Sequence, residues 1–301
     1  MIPVALSGSA VGGIGRHFCA TTIDALPQTV YLGRTRPKAR PQALRLASYA
    51  SQLNATGLPA KVDYYSKAAP SIARMYRNDV KGCCVITDRM HSLGIWSAND
   101  PDSGGVILAT DAEVDEQYSG ICGPGDRGCV ITDVLDVAVS RGIKAGGKYY
   151  KIDGYVSIDW TSKDLTKAAL ELFGTLCVGI NLPNAWTQNS IWDTTNTAIV
   201  GGHDVPGCGF GDGAAVLNTN SDGVVIASWG RLYLITWRAW LSTRWLEECY
   251  CPLSPNWYNS DKIAASGVTA DELKADLAKL SRGILPDTPD PNVDPPMDWF
   301  A

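Results

Sequence analysis

Two side chains in this sequence could together carry out nucleophilic chemistry. Cys84 follows Gly82 and Cys83 directly at the start of a predicted helix, and a helix N-terminus lowers the pKa of a thiol. His203 stands in the run Gly201-Gly202-His203-Asp204-Val205, where the glycines let another group approach the backbone. A cysteine followed by a distant histidine is the arrangement of a thiol nucleophile and its general base.

Each of these residues also has a plainer interpretation. Cys84 could be a buried structural cysteine on a core helix, and Cys83 is a rival thiol one residue away. His91, seven residues after Cys84, is predicted to be a core histidine rather than a second base. His17 is predicted to lie on the surface of the N-terminal region.

The elements that must position these residues change from helices to strands along the chain. Apolar spacing and capping residues predict helices over 84–96, from Thr110 onward, over 133–141 and over 163–173. Apolar and aromatic runs predict strands over 176–180, 198–202, 224–228 and 232–237. Helices first and an antiparallel sheet second is the α+β pattern.

Composition and charge restrict the possible functions. The formal net charge is -5 with no basic run, so nucleic acid is not an expected partner. No stretch is long and apolar enough to span a bilayer. The nine cysteines include no C-x-x-C pair and are scattered along the chain, so neither a zinc ribbon nor a small disulfide scaffold fits. We expect neither a metal site nor a cofactor. Residues 2–14 make a poor secretion signal, and we expect the chain to be made in the cytosol.

Both ends of the chain are predicted to be arms outside a domain formed by residues 59–258. The N-terminal arm, residues 1–58, contains one short helix around 43–53. The C-terminal region, residues 259–301, begins with a helix capped at Thr269–Glu272 and ends in an acidic, proline-rich tail. Such a tail cannot bury enough apolar surface to order itself, so subunits of an assembly are predicted to hold the arms.

Several short segments, in order, resemble the papain superfamily of cysteine peptidases. Pro59-Ala-Lys-Val-Asp-Tyr64 is similar to the Pro-x-x-Val-Asp-Trp that opens the mature papain domain, and the spacing from Asn78 to Cys84 matches the family's Gln-to-Cys spacing. Three later segments resemble Gly-Cys-x-Gly-Gly, Gly-His-Ala-Val and Asn-Ser-Trp-Gly: Gly128-Cys129, Gly202-His203-Asp204-Val205 and Ala227-Ser228-Trp229-Gly230.

The resemblance covers about residues 59–255 and implies a papain-like α+β fold. Its first half would be helical, with the cysteine at a helix N-terminus, and its second half an antiparallel β-barrel-like sheet. Cys84 would be the nucleophile, His203 the general base and acid, and Asn78 the oxyanion donor in place of the usual Gln.

Besides Val85, which replaces the Trp that normally follows the cysteine, two departures from the family pattern weaken this site. Asn78 is shorter than Gln, and Ala227 replaces the Asn that orients the imidazole and cannot hydrogen-bond to it. The residues that could orient His203 instead are Asp204, Ser228 and Asp222.

The chain also resembles a branch of the superfamily found in actinobacterial and bacteriophage genomes. The segments that carry this likeness are Arg77–Cys84, Gly201–His203, Ser228–Gly230 and Leu253–Trp257. We therefore expect first a structural or interaction protein, a capsid, decoration or tail component of a bacteriophage virion made in the host cytoplasm, with a weak Cys-His site. The alternative is a cytoplasmic protein that is an active thiol peptidase or amidase and uses a Cys84–His203 dyad to cut a peptide of the cell wall or of a partner protein. No segment before residue 59 resembles the pro-segment that would restrain such an enzyme.

Overall fold

The computed structural model describes residues 4–5, 29–37, 58–212 and 214–257. Its α-helices are α1 (Ala69–Ile72), α2 (Cys84–Asn99), α3 (Asp111–Cys122), α4 (Ile131–Ser140), α5 (Lys163–Phe173), α6 (Ala214–Leu217) and α7 (Trp237–Trp240). Its strands are β1 (Val4–Ala5), β2 (Thr29–Val30), β3 (Val62–Asp63), β4 (Ile143–Ala145), β5 (Lys148–Tyr150), β6 (Gly154–Ser157), β7 (Leu176–Pro183), β8 (Ile191–Trp192), β9 (Ile199–Asp212), β10 (Asp222–Ser228), β11 (Arg231–Thr236) and β12 (Leu246–Leu253).

The predicted helices of the domain form where capping residues and apolar spacing place them. The Thr110 hydroxyl accepts a hydrogen bond from Glu113 N at the start of α3, and the Glu113 carboxylate accepts from Thr110 N, which completes a capping box. The Ser162 hydroxyl caps α5 in the same way by accepting from Leu165 N. Helix α2 begins at Cys84 as predicted and runs three residues beyond Trp96.

One eight-stranded sheet makes up the second half of the domain. Its order is β6-β12-β7-β9-β10-β11-β8, with β3 paired to the outer part of β9, and only the β8–β11 pair is parallel. The predicted α+β class is therefore confirmed. Strands β6 and β8 end this order without pairing to each other, so the described strands form an open sheet rather than a closed barrel.

Helix α2 lies between the helical half and the sheet. It packs on β9 and on α1, and every residue of α2 except Ala98 is buried. A helix that is buried all round carries its polar groups inside, and here Asp88 and Arg89 neutralise each other through an ion pair of 2.6 Å. At its N-terminus α2 meets β9, because the Cys84 thiol adjoins the backbone of Asp204.

The predicted arms lie largely outside the described residues. The helices expected around 43–53 and 269–281, and the proline-rich tail, fall there. Two parts of the N-terminal arm are described. Strand β2 pairs with β1, and residues 30–37, which follow, pack against the domain, where Val30, Leu32 and Arg34 are buried. No helix among the described residues has both the length and the apolar character that crossing a membrane requires.

Candidate active site

Cys84 and Cys83 face different parts of the molecule although they are neighbours in the chain. The sulfur of Cys83 points into the helical half, 3.3 Å from Tyr76 O and 3.6 Å from Thr87 Oγ1. The thiol of Cys84 instead lies beside the backbone of Asp204, the residue that follows His203 on β9. Cys84 is therefore the thiol at the junction of helix α2 and the sheet.

The imidazole of His203 is held in a fixed orientation inside the sheet half. Its Nε2 lies 2.8 Å from Ser228 Oγ, and its ring stacks on the indole of Trp229 with ring centroids 4.5 Å apart and planes 14° from parallel. Its Nδ1 is buried and has no hydrogen-bond partner among the described residues. When Nε2–H donates to Ser228 Oγ, Nδ1 keeps the lone pair that a general base needs.

A tight hairpin presents both of these supports to His203. Strands β10 and β11 pair through Ser228 and Arg231, which leaves Trp229 and Gly230 as a two-residue turn. Both turn residues have positive φ, 45° and 73°, as a type I′ turn requires. A tryptophan in this conformation is unusual and strained. In this conformation its indole stacks on His203.

Ser228 is the residue whose side chain hydrogen-bonds to the imidazole of His203. Ala227, one position earlier, is buried and offers no polar atom. Asp204 faces the sulfur of Cys177 at 3.6 Å, and Asp222 is half exposed in an ion pair with Lys163. Of the three candidates named from the sequence, only Ser228 has a hydrogen bond to the ring within the described residues.

Asn78 binds backbone carbonyls in this structure. Its Nδ2 donates to Tyr31 O at 3.1 Å and to Lys81 O at 3.2 Å, so both amide hydrogens are in use. One of these partners, Tyr31, comes from the N-terminal region. The oxyanion role stays a prediction, and it requires Asn78 to release Tyr31.

Residues 31–35 lie between the two halves of the domain, and we call them the cleft segment. Arg34 N donates to Gly202 O at 3.1 Å, directly before His203. On the other side, Cys129 N donates to Gly33 O at 2.7 Å, and Thr35 N donates to Cys129 O at 2.8 Å. The cleft segment is thus bound by backbone hydrogen bonds on both walls, as an extended peptide would be.

Glycines make this close approach possible. A Cβ on Gly33 would overlap the carbonyl oxygen of Gly82, and a Cβ on Gly128 would overlap that of Gly33. A Cβ on Gly202 would likewise collide with Arg34 O. The sequence indicated a close approach at Gly202, but it did not identify the partner as residues 31–35.

With the cleft segment in place, the thiol and the imidazole are both held neutral. Burial raises the pKa of Cys84 well above its usual range, and the Asp204 carboxylate adds to this, while the backbone amides of Asp204 and Gly33 act in the opposite direction. Burial and then the charge of Arg34 lower the pKa of His203 to about 3. For Cys83, burial raises the pKa to about 12.

The remaining cysteines are structural in character. A disulfide joins Cys122 at the end of α3 to Cys129 in the cleft wall, and apart from Cys83 and Cys84 the other four cysteines of the described residues are free and buried. Asp88, Cys177 and Asp204 place ligand-type atoms within 4.8 Å of one another. The guanidinium of Arg89 already supplies a cation to this cluster.

His91 is a core residue, where the sequence placed it. Its ring packs edge-on against Tyr76 with centroids 5.0 Å apart, and burial lowers its pKa to about 4. It lies two turns along α2 from Cys84.

Solved structures of papain-like cysteine proteases share this fold. Xylellain, a cysteine protease from Xylella fastidiosa, aligns over 78% of this chain and 99% of its own with a TM-score of 0.58 and 17% identity. Procathepsin L2 from the Tenebrio molitor larval midgut aligns over 73% and 77% with a TM-score of 0.57 and 14% identity. Procathepsin B S9 from Trypanosoma congolense aligns over 75% of this chain and 86% of its own with a TM-score of 0.54 and 12% identity.

No protein-family model matches the sequence, and the search of curated proteins gave no significant match. At these identities the likeness to solved structures establishes the fold alone. The papain-like fold inferred from the sequence motifs is confirmed. The comparisons contain nothing that bears on the bacteriophage and actinobacterial branch.

Proposed function

We propose that this chain is a thiol peptidase or amidase of papain-like fold whose Cys84–His203 pair is covered by its own cleft segment. The observation that supports the proposal is how the imidazole of His203 is bound and placed. One ring nitrogen is fixed by Ser228, the other has no partner among the described residues, and the next residue along β9 adjoins the Cys84 thiol.

The chemistry follows from this arrangement. The proton of Cys84 would pass to His203 Nδ1, and the thiolate would add to a peptide carbonyl carbon. Breakage of the C–N bond would return that proton to the leaving amine and leave an acyl thioester on Cys84. His203 would then take a proton from water, and the resulting hydroxide would add to the acyl carbon. Breakage of the C–S bond would release the acid, and the proton held by His203 would restore the Cys84 thiol.

The cleft segment would keep the enzyme latent. The backbone of Gly33 contacts the Cys84 thiol, the positive charge of Arg34 acts on His203, and Tyr31 O accepts one of the two Asn78 amide hydrogens. Departure of the segment would expose the pair to water, which favours the charged thiolate and imidazolium. Asn78 would then be free to donate to an oxyanion.

Gly33→Ala tests the proposal because its Cβ has no room beside Gly82 and must displace the cleft segment. The matched control is Gly120→Ala on α3, where the added Cβ meets open space. Release of fluorescent peptides from labelled casein should appear in Gly33→Ala and stay at the wild-type level in Gly120→Ala. Adding Cys84→Ala should abolish it. A Gly33→Ala protein that is folded but inactive, or cleavage that survives Cys84→Ala, would overturn the proposal.

The virion hypothesis stays a prediction. It depends on the terminal arms, most of which lie outside the described residues, and on the two departures from the family pattern. One departure now has a compensating residue, since Ser228 holds the imidazole that Ala227 cannot. This finding favours the peptidase as the function to test first.

A further inference from the structure

The side chain of Arg34 fills a buried acidic pocket beside the candidate active site. Its two terminal nitrogens donate to Glu248 Oε1 at 2.8 Å and to Glu247 Oε2 at 2.6 Å. Further donations reach Asn181 Oδ1 at 3.1 Å and Ile180 O at 3.3 Å. Only 1% of the Arg34 side chain is exposed, so the pocket encloses the whole guanidinium.

The walls of this pocket leave room for a long, thin side chain. A Cβ on Gly179 of β7 would approach Arg34 Cδ to 3.0 Å and Glu248 Cγ to 2.5 Å. A Cβ on Gly202 of β9 would approach Arg34 Nε to 3.3 Å. Both strands thus have a glycine where they line the stem of the Arg34 side chain. The carboxylates of Glu247 and Glu248 lie at the end of the pocket, where they bind the guanidinium.

The two carboxylates of the pocket favour a positively charged side chain. Glu248 is buried, and burial raises its pKa while Arg34 lowers it. Glu247 is about one-third exposed and stands at the rim. A buried carboxylate without a partner is costly, and a planar guanidinium that binds in two places is the side chain that suits it best.

The position of the pocket relative to the thiol is set by the backbone of the cleft segment. Gly33 lies against Gly82 and beside Cys84, and Arg34, the next residue, hydrogen-bonds to Gly202 directly before His203. A side chain in the pocket therefore belongs to a residue adjacent to the one that lies over the thiol.

We propose that this pocket is a specificity site for a basic side chain, so that the substrates are peptides with arginine, or less favourably lysine, next to the residue over Cys84. The inference rests on the proposed function, because it names the substrate of that same cleft. Arg34 occupies the pocket in the covered state and leaves it when the cleft segment departs.

Binding tests the pocket without requiring turnover. The full chain carries Gly33→Ala and Arg34→Ala to empty the cleft and Cys84→Ala to prevent reaction. The probe is a fluorescein-labelled peptide of residues 31–36, compared with the same peptide in which the arginine of position 34 is citrulline, its neutral isostere. Fluorescence anisotropy should show the arginine peptide binding about 10- to 100-fold more tightly.

Glu248→Gln in this chain should remove most of that preference, and Glu247→Gln at the rim should remove less. Glu116→Gln, an exposed glutamate on α3 paired with Lys144, is the control and should leave it intact. Equal affinity for the two peptides, or no binding of either, would overturn the inference. A folding defect in Glu248→Gln would not hide the answer, because the arginine-to-citrulline comparison uses an unchanged pocket.

Hydrolysis separates this inference from the proposed function. With Cys84 restored, the emptied chain is given fluorogenic peptides that carry arginine, lysine, citrulline or leucine at each position in turn. Cleavage without preference for a basic residue would sustain the peptidase and overturn the pocket. Binding that prefers arginine, with no peptide cleaved, would overturn the peptidase and leave a binding site for basic peptides.

Discussion

At the scale of single residues, the site depends on how one imidazole is held. His203 is fixed from two sides, by the hydroxyl of Ser228 and by the indole of Trp229. In the papain-superfamily motif that the sequence resembles, an asparagine stands at the position of Ala227 and serves this purpose. A serine one residue later reaches the ring here because the hairpin turn begins immediately after it.

Ser228→Ala should therefore impair catalysis more than folding. In the Gly33→Ala background we expect kcat to fall about 10- to 100-fold with little change in KM, because the imidazole loses its fixed orientation. Ser228→Thr, which keeps the hydroxyl, should recover part of the rate. The pH profile of kcat distinguishes a positioning role from simple destabilisation, since only the former shifts its acid limb. An unchanged kcat in Ser228→Ala would rule out this role.

At the scale of elements, the cleft consists of two walls that close on an extended segment. One wall is β9, and the other is the loop between α3 and α4, which includes Cys129. The Cys122–Cys129 disulfide ties this loop to the end of α3. Asp126 of the same loop accepts hydrogen bonds from Gly82 N and from the Tyr118 hydroxyl, which links the loop to the start of α2.

Removing the disulfide should loosen this wall and weaken its hold on the cleft segment. For Cys122→Ser with Cys129→Ser we expect the free energy of unfolding to fall by about 2–3 kcal/mol, the value for closing so short a loop. Urea denaturation measures this loss. Cys84 should also react faster with a thiol reagent under native conditions. Ser119→Ala, exposed near the end of α3, is the control and should change neither quantity; a double variant as stable and as unreactive as wild type would contradict the role of the disulfide.

At the scale of the whole molecule, two buried histidines make stability depend on pH. His203 and His91 have pKa values lowered to about 3 and about 4, chiefly by burial. The unfolded chain binds protons at these residues below about pH 6.5, whereas the native chain does not. The part of the free energy of unfolding that depends on their being neutral is therefore present at neutral pH and is lost as the pH falls from about 6.5 towards 3–4.

His91→Gln isolates one of these contributions. Burial raises the pKa of Asp204 and Glu248, which act in the opposite direction, so the informative quantity is the difference between variant and wild type. Between pH 7 and pH 5 the variant should lose about 2 kcal/mol less unfolding free energy than wild type. Urea denaturation at both pH values measures it. Equal losses in the two proteins would show that His91 is protonated in the native state.

Local signals in the sequence predicted much of the fold, but they could not predict the covering of the site. The helix at Cys84 and the capping box at Thr110 depend on neighbouring residues and formed as expected. Ser228 could not be chosen over the other candidates because its contact with His203 depends on the hairpin and the sheet register. The cleft segment has no apolar periodicity, and its contacts, such as Arg34 to Glu248, join residues 214 positions apart.

The most direct test of a covered Cys84–His203 pair is the rate at which Cys84 is alkylated at pH 7. Iodoacetamide labelling with mass spectrometry should show slow modification in wild type and about 100-fold faster modification in Gly33→Ala, as an exposed thiolate requires. Cys83, in the same peptide, should stay unmodified in both. Adding His203→Gln to Gly33→Ala should return Cys84 to a slow rate. An equal rate in wild type and Gly33→Ala, or a fast rate that does not need His203, would contradict the pairing.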